Sequence, residues 1–578
     1  MMRDLKWHEK GEKILRIVNL LLTLFCLYAY FFIPSVEAAP QKIYWGNEVP
    51  FGWRGEWPEE LRTVPEKTSF ERTSTSLEVL EFIDKLRWRT DKMAIIPMFM
   101  TPLGRAGVAV VLADPRVATP GEAKASGKPV IYLQGNIHPP EAEAKEALMI
   151  LMREILFGSK KHLLKNQILI ICPNFNPDGN DALRLNEGWP HLIGNRTNSQ
   201  NLDLNRDAIK LETPEVIGLH RSIFNLWDPL LIYDGHAMGR VNHGYAIVYA
   251  TSTVPASHPA PRGYVFEVMF PALRQAVREK YGLEIFTHCL FDEKSWPPKV
   301  WSHDLAIWST EAKFIAAAYG LRNRMSILAE TPGHVHFERK IYAHYSLISA
   351  ILEYTHEHGR EMQAICQQAD DEVVRQIKEK ASRGELKNYV AGKYESWGKI
   401  DLLAYRSNRP FLLPGTSVMA GVEPAALGAP EVVPGVEHLT RPVGTKEARV
   451  PLGYIIPAEL SWVVEKLRIH NIKVETISRP CQADGEEFII DSVEKERRWG
   501  YDMTVLKGNF VPVKERQIPA GSFLVSLEQP LANLAFYCLE PEAADGFVGW
   551  SLFDSYLKSA GSSEKKIAYP IFKYFRLY

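Results

Sequence analysis

From about residue 75 to 350 the chain alternates between two hydrophobic rhythms. Residues 77–86 repeat apolar positions at helical spacing, and residues 142–156 do so more strongly, with Leu148, Leu151, Met152 and Ile155 on one side. Between and after them lie short aliphatic runs: 108–112, 130–133, the unbroken Gln167-Ile168-Leu169-Ile170-Ile171-Cys172 stopped by Pro173, 230–233, 245–249 and 326–328. Continuous apolar strands separated by helices predict an α/β domain with a largely buried sheet.

Residues 341–384 are helical in pattern and lead away from that sheet. Between about 407 and 450 Pro, Gly and Val dominate with little periodicity, which predicts a long loop. Order returns with Tyr454-Ile455-Ile456, a helix over 458–469, strands over 472–474 and 521–526, and a helix over 529–538. The expected organisation is a first domain over 39–360, a helical connector over 361–406, a linker over 407–450 and a smaller α/β domain over 451–578. Neither an internal repeat nor a low-complexity tract is visible.

The first 38 residues change the picture of where the protein works. Lys10, Lys13 and Arg16 precede an apolar run from Ile17 to Ile33, and Val36-Glu37-Ala38 offers a cleavage site, so the mature chain is expected to begin near Ala39. The protein is then exported, periplasmic or extracellular; the other reading keeps the segment as a membrane anchor. With 578 residues the chain is too long for a single core. A formal net charge of −1 and the lack of a long basic block make nucleic acid an unexpected partner. Five scattered cysteines outside the leader argue against a disulfide framework.

The candidate chemistry sits at strand ends. Ile131-Tyr132-Leu133 delivers His138-Pro139-Pro140-Glu141 into a turn, and Leu230-Leu231-Ile232-Tyr233 delivers Asp234-Gly235-His236. Two histidines and a carboxylate can hold one zinc ion and leave a position for water, the arrangement of a hydrolytic centre. A lone HxxE tetrad arises often by chance and can be a plain turn followed by a helix N-terminus. The strand before it, the helix after it and a second strand-end histidine supply the context. His243 is the nearest competitor of His236 but stands past a turn rather than at a strand end.

Five motifs in order carry a resemblance to the M14-type zinc carboxypeptidases over about residues 75–355: His138-Pro139-Pro140-Glu141, Asn176-Pro177-Asp178-Gly179, Asp203-Leu204-Asn205-Arg206, His236, and Leu328-Ala329-Glu330. The resemblance implies a mixed eight-stranded sheet flanked by helices on both faces, one zinc ion, and hydrolysis of C-terminal peptide bonds. It implies His138, Glu141 and His236 as metal ligands and Glu330 as general base. It also implies Arg196 as donor to the developing oxyanion, and Asn205 with Arg206 as the pair that binds the substrate carboxylate. The same chemistry can be argued from residue types: a carboxylate must take the proton of the attacking water, charge developing on oxygen needs a positive donor, and a planar guanidinium suits a carboxylate. Asp203 is expected to accept from the non-ligating nitrogen of His138, and Asn176–Gly179 to build a tight turn. Tyr319 is the nearest candidate for the family's substrate-capping tyrosine, although it stands closer to Glu330 than in digestive members.

These readings predict an exported zinc metallopeptidase acting on peptides or small amides with a free carboxylate, envelope peptides such as peptidoglycan stems among them. A zinc amidase or deacylase on small N-acyl amino acids would need the same ligands and the same carboxylate pair. A non-catalytic binding protein that keeps the fold is the third possibility, and the presence of every expected catalytic residue argues against it.

Overall fold

The computed structural model describes residues 42–578 apart from 187, 189, 240, 292–295, 306–307, 407–428, 499 and 561–566. The expected leader and the first half of the expected linker therefore lie outside the described residues. Eight strands form the main sheet: β1 (Met93–Met100), β2 (Ala106–Leu112), β3 (Val130–Gly135), β4 (Ile168–Cys172), β5 (Leu231–Met238), β6 (Ile247–Ala250), β7 (Ile285–Thr287) and β8 (Met325–Pro332). Their spatial order is β1-β2-β4-β3-β5-β8-β6-β7. The central four, β4, β3, β5 and β8, run parallel. β1 and β2 add on antiparallel at one side, and β6 reverses direction against β8 at the other. The sheet is mixed and eight-stranded.

Successive residues of β4 enter different cores. Ile168, Ile170 and Cys172 join one hydrophobic cluster and Leu169 and Ile171 the other. β2 and β3 divide the same way, as a strand buried on both faces must, and this is why these runs read as unbroken hydrophobics. Helix α1 (Ser76–Arg87), α2 (Glu143–Leu156), α3 (Phe270–Tyr281) and the 44-residue α4 (Phe337–Lys380) cover one face. Thr75 caps α1: its hydroxyl accepts from Glu78 N while the Glu78 carboxylate takes the Thr75 amide, a capping box.

Helices Pro214–Leu219 and Ile315–Tyr319 lie against the other face, and the second half of the chain packs with them in the same hydrophobic cluster. Tyr454, Val463, Leu467, Val525, Phe536 and Trp550 belong to the same hydrophobic cluster as Ile168 and Ile170. The C-terminal region has its own sheet, in spatial order Glu475–Thr476, Phe523–Ser526, Gly453–Ile456, Phe572–Leu577, Cys481–Arg498 and Tyr501–Ile518. Its core is nevertheless continuous with that of the main sheet, and residues 43–578 cluster as one compact unit.

Several expected elements need correction. The connector expected to be helical over 361–406 is helix only to Lys380; Lys387–Ala404 is a strand. The stretch expected as a linker contains the strand Glu431–Arg449, which pairs antiparallel with Lys387–Ala404. Repeated register shifts break the two-residue rhythm of this pair, and prolines stand at Pro434 and Pro442. Polar and apolar positions therefore do not alternate cleanly. The strand expected at 472–474 is displaced to Glu475–Thr476, because the Lys473 amide bonds the Gln529 side chain at 2.9 Å instead of a sheet partner. Among the described residues no helix is long and apolar enough to cross a membrane.

Candidate metal centre and carboxylate site

Two glycines let the site close. A Cβ at Gly135, the last residue of β3, would lie 2.8 Å from the Lys145 amide nitrogen, and one at Gly235 would lie 2.3 Å from the Ala144 methyl. Helix α2 thus leans directly on the ends of β3 and β5, which only glycine permits. The chain leaves β3 through Asn136 in the left-handed conformation, φ 63°. The Asn136 amide is fixed by Asn174 at 2.7 Å and Asn180 at 2.9 Å. The turn that follows places His138 and Glu141 beside His236 of β5. Asn176, expected to build a tight turn, accepts from Gly179 N at 2.9 Å.

Nδ1 of His138 and Nδ1 of His236 lie 3.1 and 2.9 Å from the same oxygen, Oε2 of Glu141. The three ligand atoms fall within 4.8 Å of one another. Nε2 of each imidazole faces a carboxylate: His138 meets Asp203 Oδ1 at 2.9 Å, and His236 meets Asp234 Oδ2 at 2.9 Å. An ionised carboxylate only accepts, so each Nε2 is assigned a proton, and each Nδ1 could then offer its lone pair to a cation held between the rings and Glu141. Two imidazole lone pairs and one carboxylate oxygen converging on one point, with carboxylates behind the rings, is a donor set that fits zinc. His243 is not part of this group; it packs edge-on to Trp301 at 5.8 Å.

Asp234 joins this group although no motif in the sequence marks it. Positions i and i+2 of a strand share a face, which places Asp234 under His236. Gln134 donates to its other oxygen at 3.0 Å, and Tyr132 donates to Gln134 at 2.9 Å. Asp234→Asn is expected to weaken zinc binding about 10–100-fold, the usual effect of losing such a partner. Competition titration with a fluorescent chelator measures it, and unchanged affinity would remove Asp234 from the centre.

Glu330 lies within β8, not beyond its end as expected, and is in register with His236 on the neighbouring β5. Burial pushes its carboxyl up, to about 7; the charge of Glu141 adds to this, and His236, His138 and Arg196 oppose it. His288, which carries no motif in the sequence, also reaches Glu330. Its Nε2 lies 3.6 Å from Glu330 Oε1, and its ring stacks on His303 at 5.8 Å. The short strand β7 that delivers it has no distinctive pattern.

Asp203 opens the turn Leu204–Arg206, accepting from Asn205 N at 2.9 Å. The Asn205 side-chain oxygen Oδ1 accepts from Ile315 N at 3.0 Å, and its Nδ2 approaches Nε2 of His236 at 3.3 Å. Arg206 is 6% exposed, lies over the Phe314 ring at 4.7 Å and donates to Asn205 O at 2.8 Å. Burial lowers its pKa, against the pull of Asp203. Among the described residues no carboxylate pairs with it directly, so a buried guanidinium is left for an anion to balance. Arg196, 43% exposed, bridges Glu141 Oε1 at 2.9 Å and Asp203 Oδ2 at 3.2 Å. It therefore stands at the rim of the centre.

Tyr319 is not brought to this group. It is 1% exposed, packs on Phe224 with centroids 4.6 Å apart, and donates to Pro229 O at 2.6 Å. It is a core residue, placed there by the apolar helix Ile315–Tyr319, all of it buried.

The C-terminal region reaches the carboxylate site. Asp545 accepts from the backbone amide of Lys313, Arg498 approaches Glu311 at 3.4 Å, and the Tyr501 hydroxyl bonds the backbone at Asp203. These contacts hold the segment that presents Phe314 and Ile315 to Arg206 and Asn205. Burial, with the charge of Glu311, pushes the Asp545 carboxyl up to about 7. A carboxyl raised in the folded chain holds its proton longer than in the unfolded chain, so folding loses stability as pH climbs from about 4 to about 7. Asp545→Asn removes that loss while keeping an oxygen for Lys313. It is expected to be more stable than the parent by about 2 kcal/mol at pH 8 and by much less at pH 5. Urea melts at the two pH values test this; an equal difference at both would mean that the carboxyl does not titrate in this range.

The family model for zinc carboxypeptidase, peptidase M14, matches residues 81–217. That stretch contains His138, Glu141, Arg196, Asp203, Asn205 and Arg206; His236 and Glu330 lie beyond it, on β5 and β8. The chain is 24% identical over 470 residues to carboxypeptidase 2 of Trichophyton tonsurans, covering 78% of each protein. It is 32% identical to carboxypeptidase D of Homo sapiens over 91 residues, 14% of this chain and 7% of that one. Among solved structures, a metallo-carboxypeptidase from Burkholderia cenocepacia aligns with 49% of this chain and 69% of its own, at 16% identity and a TM-score of 0.35.

Proposed function

We propose, from the premise that this chain belongs to the M14-type zinc carboxypeptidases, that it is an exported metallopeptidase removing C-terminal residues, with Glu330 as general base. The observation that carries this is the placement of a buried Arg206, which has no ion-pair partner among the described residues, beside the convergent His138, Glu141 and His236. Zinc held by these three residues supplies a water whose pKa is lowered towards neutrality.

The chain's own residues do the rest. Arg206 and Asn205 take the terminal carboxylate and fix which peptide bond faces the centre. Glu330 accepts a proton from the attacking water and passes it to the leaving amine. Arg196, at the rim, meets the charge that develops on the carbonyl oxygen. Asp203 and Asp234 hold the imidazoles in one tautomer and one orientation. Export rests on the leader pattern from Lys10 to Ala38.

A substrate panel tests this reading. Peptides of four or more residues with a free C-terminus should lose their last residue, and the same peptides with a C-terminal amide should be refused. Hydrolysis confined to small N-acyl amino acids would replace the peptidase with the deacylase.

A further inference from the structure

We propose that this chain has a second, non-catalytic site, a pocket that binds a small aromatic monocarboxylate between residues 259–267 and the hairpin formed by Lys387–Ala404 and Glu431–Arg449. The pocket is a cavity of about 160 Å³. A dry cavity of about 150 Å³ is known to accept benzene, so the space suits a single ring. Its walls include neither the three ligand residues nor Asn205, Arg206 and Ile315. His303, which lines it, stacks on His288, and His288 contacts Glu330. The pocket thus lies behind the catalytic centre, separated from it by two imidazole rings.

Charge points to an anion. Arg262 lines the cavity, and its Nη1 donates at 3.3 Å to Val254 O. Among the described residues no carboxylate lies within ion-pair distance of it. Burial lowers its pKa. An arginine carries five N–H donors, and a half-buried guanidinium without a counter-charge is costly unless something supplies one. Arg441, at the rim, is already balanced by Glu395 at 2.7 Å, and Glu267, which also lines the cavity, is exposed to solvent and outside ion-pair distance of Arg262. Thr251 also lines the cavity, and its hydroxyl is buried with no hydrogen-bond partner among the described residues. A carboxylate on Arg262 supplies the missing counter-charge, and a rotation of the Thr251 side chain about χ1 would let its hydroxyl donate to the same group.

Shape points to a flat apolar body. Phe266 and Trp397 stack at 5.0 Å and 18° on one wall, and Pro259 and Pro442 complete it. Trp397 is 43% exposed, so a bound ring gains apolar contact there.

The test is calorimetric titration of phenylacetate into the full-length, zinc-loaded protein carrying Arg206→Gln, which removes the catalytic carboxylate pair from the measurement. Saturable binding is expected, within about twofold of the parent. Adding Arg262→Gln should weaken it at least tenfold, as should replacing phenylacetate with phenylacetamide, in line with loss of a charge-assisted hydrogen bond. Thr251→Val, which leaves the charge in place, should weaken it several-fold and decides the matter if Arg262→Gln does not fold. Absence of binding to the Arg206→Gln protein overturns the proposal, as does binding indifferent to Arg262→Gln or, where that variant does not fold, to Thr251→Val. Binding is read without turnover, so failure of the peptidase reading leaves this result standing on its own.

Discussion

Glu330→Gln is expected to lower kcat by about 10²–10⁴-fold, the contribution of a positioned proton acceptor, while zinc content stays at the parent level. The amide keeps the size and place of the side chain in β8 but cannot take a proton. Glu330 is none of the three ligand residues, so the metal should remain. The pH profile separates this loss from simple damage. The base works ionised, and burial lifts its carboxyl to about 7. As pH falls through that value the proton returns and kcat/KM declines. A cation held by His138, Glu141 and His236 draws the carboxyl down, so the acid limb of the parent is expected at or below about pH 7. In Glu330→Gln that limb should vanish along with the rate. A variant that keeps both rate and limb would remove Glu330 from proton transfer.

Arg206→Met is expected to cut kcat/KM for free-acid peptides by about 10²–10³-fold, the range for removing one partner of a desolvated ion pair. Two further readouts follow from its burial. Discrimination between a free C-terminus and its amide should largely disappear, because the lost interaction is with the carboxylate alone. The unliganded protein should also become more stable, since Met fills the space over Phe314 without a buried charge lacking a counter-ion. Lower activity with a higher melting temperature is the pattern of a side chain kept for binding. A melting temperature that falls, with discrimination intact, would make Arg206 a structural residue.

Much of this was legible in the sequence, for definite reasons. The main sheet announces itself because its strands are buried on both faces, so runs such as Ile168–Cys172 are apolar without a break. The candidate ligands are legible because they stand where such runs stop. Glu330 is legible as a member of a motif, although its place inside β8 is not. Asp234 could have been found from strand periodicity, since it shares a face with His236.

The remainder depends on contacts distant in sequence. Tyr319 has the composition of a site tyrosine, yet it sits in an apolar helix that buries it against Phe224. The hairpin of 387–404 and 431–449 is hidden by its register shifts and prolines. Nothing local to Arg498, Tyr501 or Asp545 shows that they brace the loop behind Arg206; that follows only from the C-terminal region packing into the core of the main sheet. His288 is similar: a single histidine after a three-residue strand acquires meaning only beside Glu330.

The most direct measurement is zinc per chain, followed together with turnover through chelation and replenishment. The parent is expected to bind one zinc ion, to lose metal and activity in step, and to recover both, whereas His138→Ala and His236→Ala retain neither. Full turnover in metal-stripped protein, or a parent that never takes up zinc, would contradict the reading of these three side chains as a metal centre.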